Sequence, residues 1–191
     1  MPTTTLYLVR HAQSIPDFSL AESDWVLSAE GEAQARRLPR QLHDIAATRL
    51  ISSPYRRAID TLRPLSLALA LPIRTEPDLR ERKLREGYVE NWNDVVRGLW
   101  ADLDTRMPNC ESGTECRLRM TACLTALARE LYGETLMVAS HGNAIALFFN
   151  GLDSGFGHDA WKRMRNPDVF RLQYRNGQWH HDADFVFDSN G

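Results

Sequence analysis

The sequence predicts a three-layer α/β sandwich, with helices on both faces of a mostly parallel central sheet and an antiparallel hairpin at the C-terminal end. Two patterns carry that expectation. Short apolar runs, Thr4 to Val9, Arg49 to Ser52 and Thr135 to Ser140, alternate with longer stretches whose apolar positions repeat at the helical period. Near the end, Val169 to Tyr174 and Trp179 to Phe187 flank Asn176-Gly177, a pair suited to the positive backbone angles of a tight hairpin turn.

Taken in order, Thr4 to Val9 is the first strand. Ser28 then caps a helix whose Gly31, Ala35, Leu38 and Leu42 share one stripe, with Pro39 placed to end or kink it. After the second strand, a helix starting near Pro54 turns Ala58, Leu62, Leu65 and Leu69 inward, although Pro64 weakens its middle. The stretch Glu86 to Asn109, with Trp92 and Trp100, reads as an inserted helix and loops lying over the sheet, an excursion of the kind that often shapes a pocket. From Thr114, the positions Cys116, Met120, Cys123, Leu127 and Leu131 trace one helix face. On the terminal hairpin, Trp179, Phe185 and Phe187 suit either a core or an interface.

The 191 residues fit a single domain, 1–191, able to bury a sizeable core. With 23 Lys and Arg against 25 Asp and Glu, the net charge of -2 offers no general attraction to nucleic acid or to an anionic membrane. Three cysteines, Cys110, Cys116 and Cys123, match neither a paired zinc motif nor a disulfide framework and read as reduced thiols. The apolar run before Arg10 is too short for a secretory segment, so the expected location is cytoplasmic.

The chemistry concentrates at strand ends. Arg10-His11 and His141 each follow an apolar strand, and ligands of open α/β sheets bind at the carboxyl ends of strands. Between them, the segment from Ser52 to Thr61 places Arg56 and Arg57 in the first turn of a helix, where the positive end of the dipole disfavours a cation unless an anion compensates. Arg56 suits a solvated ion pair and Arg57 an anion contact. The run Leu79-Arg80-Glu81-Arg82-Lys83-Leu84 sets a carboxylate among cations, a pattern that elsewhere is usually a wet surface.

Together these segments resemble the histidine phosphatase superfamily, the group of the cofactor-dependent phosphoglycerate mutases and many small phosphatases, over nearly the whole chain. Arg10-His11-Ala12 corresponds to its Arg-His-Gly motif, and Arg57-Ala58-Ile59-Asp60-Thr61 closes its Ser-x-x-x-Arg-Ala-x-x-Thr motif. Leu27-Ser28-Ala29-Glu30-Gly31 matches Leu-Ser-x-x-Gly, Ser140-His141-Gly142 matches Ser-His-Gly, and Glu81 stands where members carry an acid after a leucine. The resemblance implies that His11 is the nucleophile, with Arg10, Arg57 and His141 binding phosphate and Glu81, or more weakly Glu86, moving the proton. Ala12 departs from the usual glycine, and Asp17 stands where many members place an asparagine that touches phosphate. Glu111-Ser112 resembles a Gly-Glu-Ser segment with Cys110 in the glycine's place, and Ser112 serves equally as a helix cap.

The expected activity is metal-independent hydrolysis of a small phosphorylated metabolite through a phosphohistidine, with no cofactor. Phosphoglycerate mutase-type transfer is the alternative, but the tyrosine that glycolytic mutases carry after the acid and their later paired-arginine segment are not evident here. Phosphatases of phosphohistidine proteins, which need an open site, and a non-catalytic phosphate-binding module are further readings. Neither a G-x-G-x-x-G turn nor a Walker loop points to nucleotide binding. His180-His181-Asp182 is a poor metal site, because neighbours on a strand point to opposite faces, and reads as polar decoration.

Overall fold

The computed structural model describes residues 3–188, which build a six-stranded sheet covered by helices on both faces. Near its middle, β1 (Thr4–Arg10) pairs in parallel with β4 (Thr135–Ser140) and antiparallel with β5 (Asp168–Arg175). On the far side of β4, β2 (Arg49–Ser52) continues the parallel arrangement and β3 (Ile73–Thr75) forms one edge. The other edge is β6 (Gln178–His181), joined to β5 through Asn176 and Gly177 at φ 53° and 78°. The mostly parallel sheet with its terminal antiparallel hairpin is the architecture expected.

Strand alternation divides the core in two. Leu6, Leu8, Leu136 and Val138 pack with α4 (Gly113–Glu130) and α5 (Gly142–Leu152) on one face. Tyr7, Val9, Met137 and Ala139 pack on the other with α1 (Ala29–Gln41) and α2 (Arg56–Leu69). Cys116 and Cys123 lie buried on the inner face of α4, and all three cysteines are free. The inserted segment contains α3 (Trp92–Ala101), which buries Val96, Leu99 and Trp100, and Trp100 stacks on Trp161 of α6 (His158–Arg163).

Several expectations are corrected. Pro39 and Pro64 lie within α1 and α2 and end neither, each costing one intrahelical bond. α2 starts at Arg56 rather than Pro54, and β3 is too short to show an alternation in sequence. β6 stops at His181, after which Phe185 packs edge-on against Tyr7 at 5.4 Å and Phe187 is buried beside it. With Trp179 against Phe148 at 5.6 Å, Phe187 is buried in the core, and Trp179 and Phe185, partly buried, pack against it. His181 is not mere polar decoration: its ring lies 4.8 Å from that of Phe149, and burial pulls its pKa below the usual histidine value.

Candidate active site

The parallel pairing of β1 with β4 aligns Arg10 with Ser140, so the next residue on each strand is a histidine. His11 N–H donates to the Ser140 carbonyl at 3.1 Å, and the two imidazole centroids stand 5.2 Å apart. Both rings are buried. Two residues distant by 130 positions are thus brought together by strand register alone.

His11 Nδ1 lies 2.7 Å from the Ala12 carbonyl, which can only accept, so the proton sits on Nδ1 and Nε2 carries the lone pair. Arg57 Nε donates to that nitrogen at 3.2 Å. Burial holds the pKa of His11 well below 6.5, and the neighbouring cations Arg57 and Arg10 add to the effect, outweighing the Ala12 bond. The ring is therefore neutral at neutral pH, with an unprotonated Nε2.

His141 Nε2 lies 2.7 Å from Ser53 Oγ, which also accepts from Tyr55 N–H at 3.2 Å. A hydroxyl that accepts there can donate its own proton to Nε2, which leaves the imidazole proton on Nδ1. Among the described residues that buried Nδ1 has no partner, nor has the buried Nε of Arg10, whose Nη1 donates to the Met164 carbonyl at 2.7 Å. Gly142 lets these groups close up, because a Cβ there would sit 3.1 Å from Arg10 Nε. The site thus presents two unspent N–H donors beside a lone pair that Arg57 holds, an arrangement that suits a phosphoryl group.

Glu81 bonds to the start of α5. Its Oε1 accepts from Arg82 N–H at 2.8 Å and Ala144 N–H at 2.9 Å, while among the described residues Oε2 accepts only from Asn143 N–H at 3.2 Å. The sequence therefore brings Glu81, His141, Arg10, His11 and Arg57 into one region. Glu86 does not join them: it is exposed and tied to Lys83 at 2.5 Å and to Asn109 at 3.3 Å. The cationic run around Glu81 is not a wet surface throughout, since Arg82 is buried and donates through Nε to the Glu111 carbonyl at 3.1 Å.

The departures from the family motifs have physical explanations. Ala12 is fully buried at ordinary backbone angles, where a methyl costs no strain, and its N–H donates to Thr61 Oγ1 at 2.9 Å. Thr61 in turn donates to the Arg57 carbonyl at 2.7 Å, tying the motif's last residue to its arginine and to the His11 loop. Asp17 turns away from the site and accepts from the N–H and hydroxyl of Ser19, which hold its carboxyl below the usual range. Arg56 pairs with Asp60 at the surface, as expected. Ser112 caps α4 in a reciprocal capping box with Glu115, while Glu111 grips Arg119.

Sequence reasoning missed Ser53, Asn166 and Glu22. Asn166 Nδ2 donates to the His11 carbonyl at 2.7 Å. Glu22, in a 3-10 turn spanning Glu22–Asp24, accepts from Arg57 through its carbonyl at 2.6 Å and its carboxylate at 2.7 Å. Only Ser53 lay inside a recognised motif; the other two carry no local signal.

Residues 6–183 match the family described as the histidine phosphatase superfamily (branch 1). Proteins named probable phosphoglycerate mutase GpmB are similar along most of their length. The one from Enterobacter sp. (strain 638) is 28% identical over 189 residues, covering 91% of this chain and 86% of that protein. The one from Escherichia fergusonii is 29% identical over 194 residues, with the same coverage. Among solved structures, mycobacterial glucosyl-3-phosphoglycerate phosphatase Rv2419c superposes with a TM-score of 0.76 at 22% identity, over 94% of this chain and 97% of that one. A phosphoserine phosphatase mutant from Entamoeba histolytica in complex with phosphoserine gives 0.78 at 17% identity, over 98% of each chain.

Proposed function

Because the chain belongs to the histidine phosphatase superfamily, branch 1, we propose that it hydrolyses a small phosphomonoester, without a metal, through a phosphohistidine on His11. One observation carries this reading: the Nδ1 proton of His11 is locked onto the Ala12 carbonyl, and Nε2 faces Arg57 with its lone pair. As phosphate enters, the Arg57 Nε–H turns from His11 Nε2 to a phosphoryl oxygen, and the lone pair it frees attacks phosphorus; a covalent intermediate divides one difficult displacement into two easier ones. Arg10 Nε, His141 Nδ1 and the Arg57 guanidinium donate to the phosphoryl oxygens as charge moves onto them. Glu81 is the proton carrier: Oε2, holding a single N–H bond, has a lone-pair direction left for the proton given to the leaving oxygen and later taken from water.

The names of the curated relatives favour a second reading, in which a phosphoglycerate rather than water takes the phosphoryl group. Chelator-treated protein mixed with labelled aryl phosphate should retain covalent label and turn over, and His11→Ala should do neither. Adding 3-phosphoglycerate with its bisphosphate primer separates hydrolysis, read as free phosphate, from transfer, read as the isomeric ester. Turnover that survives in His11→Ala would overturn the phosphohistidine route.

A further inference from the structure

Resting on the phosphomonoester reading above, we propose that Arg85 recognises a second anionic group, a carboxylate or a second phosphate, on the leaving group of the substrate. A cavity of about 350 Å³ opens beside the reaction centre, with Phe18, Glu22, Trp25, Tyr55, Lys83 and Arg85 in its wall. It adjoins the reacting groups through two of these residues. Glu22 grips Arg57, and the ring of Tyr55 stands edge-on to His141 at 5.0 Å. On this reading the leaving group lies in that cavity.

Arg85 is held there in an unusual state for a cation. Its guanidinium carbon lies 4.2 Å from the ring centroid of Trp92 and 4.7 Å from that of Phe18. Aromatic rings cover guanidinium faces, whereas the five N–H groups lie in the guanidinium plane and stay available as donors. Among the described residues no carboxylate or carbonyl accepts from them. The neighbouring charges are matched: Arg57 by Glu22 at 2.7 Å and Lys83 by Glu86 at 2.5 Å. Among the described residues, Arg85 is thus the cation of this wall that forms no salt bridge or hydrogen bond; it feels the Glu22 carboxylate only at longer range and is held against two rings from different segments. A fork preorganised in this way loses little freedom when it meets a carboxylate or phosphate. Phe18 and Trp92 set its position, so the inserted segment containing α3 contributes to selectivity through Trp92.

The competing explanation is a staple, in which Arg85 only ties the Phe18 loop to α3. A selectivity ratio separates the two, because a staple affects every substrate alike. The ratio compares kcat/KM for 3-phosphoglycerate and for propane-1,3-diol bisphosphate, each against glycerol 3-phosphate, which lacks the second anion. Wild-type protein should favour at least one anionic member by roughly 10- to 100-fold, and which one tells carboxylate from phosphate. Arg85→Met should collapse that ratio towards unity, and Arg85→Lys should keep part of it through charge without the fork. A wild-type ratio near one, or a ratio that Arg85→Met leaves intact while lowering all three rates, would overturn the proposal. The same ratio is read from dissociation constants on His11→Ala protein by titration calorimetry. If wild-type protein turns over none of the three, the hydrolysis reading falls, while the anion subsite stands or falls on the calorimetric ratio.

Discussion

Glu22 forms a two-point clamp on the Arg57 guanidinium that faces His11: the Glu22 carbonyl and carboxylate hold Nη1 and Nη2 at 2.6 and 2.7 Å, while Nε reaches His11 Nε2 at 3.2 Å. Arg57 is almost fully buried, so its aim is set by these partners. The clamp also puts an anion on the same guanidinium that a phosphoryl group on His11 must use. Two anions sharing one cation repel, which leaves the Glu22 carboxyl either moving aside or taking a proton when phosphate binds.

Glu22→Gln should therefore relieve a competition. Burial raises the pKa of Glu22 despite the pull of Arg57, with Glu81 and Tyr55 facing it and Arg85 opposing the rise. Sulfate, whose charge is constant between about pH 5 and 8, should inhibit the wild-type protein more strongly as pH falls. The glutamine variant should lose most of that slope and bind sulfate roughly tenfold more tightly at the alkaline end. Equal slopes in the two proteins would show that the carboxylate does not compete.

Gly31→Ala should be among the more damaging small substitutions away from the reacting groups. An added Cβ would meet the Gln13 carbonyl oxygen at 1.9 Å, and Gln13 is two residues beyond His11. Backbone cannot yield as a flexible side chain can, so α1 must shift off the His11 loop. Overpacking of this kind costs typically ~1–3 kcal/mol and occasionally more. Urea unfolding should show a loss at the upper end of that range, and activity should fall with it.

That contact also shows what could be read from sequence and what could not. Leu27-Ser28-Ala29-Glu30-Gly31 is legible as a pattern because the cap and the close approach both demand particular residues at fixed spacing. His11 and His141 are legible because each follows a strand, and register does the rest. Glu22 is not, because its contact with Arg57 spans 35 residues and comes from a loop that no periodicity constrains. Arg82 is illegible for a related reason: a run of charges looks solvated until tertiary packing turns one member inward, and here Arg82 is buried with its Nε on the Glu111 carbonyl.

Ser53→Ala should lower kcat/KM by about tenfold while the protein stays folded. The Ser53 hydroxyl fixes which nitrogen of His141 carries the proton, and without it the ring populates a tautomer whose Nδ1 cannot donate to phosphate. Ser53→Thr, which keeps the hydroxyl, should restore most of the rate. Equal losses in the two variants would point to packing instead.

The acid limb of kcat/KM should fall below pH 6.5, the ordinary value for histidine, because burial and the flanking arginines keep His11 unprotonated well into the acid range. Arg57→Gln should move that limb to higher pH by removing one of the repelling charges. A limb at or above 6.5 in the native protein would mean that His11 is not the group titrating.

The same histidines should weaken the fold in acid. His11 and His141 both have pKa values held well below 6.5, chiefly by burial and then by Arg57. A group depressed in the folded state binds fewer protons there than in the unfolded chain, so its neutral form contributes fully above the unfolded value. As pH falls below about 6.5, the unfolded chain takes up protons that the folded one refuses, and stability drops by up to ~1.4 kcal/mol per pH unit for each histidine. The loss continues until the folded pKa is reached. Unfolding free energy measured from pH 7.5 to 5 should decline in the wild-type protein, more steeply than carboxylates alone would produce, since most of those titrate lower. His141→Gln removes one of the two titrating groups and should flatten the slope by about half of the histidine contribution. If the variant and the wild-type protein show the same slope, His141 is not held neutral by the fold, and its assignment as a neutral Nδ1 donor to phosphate fails with it.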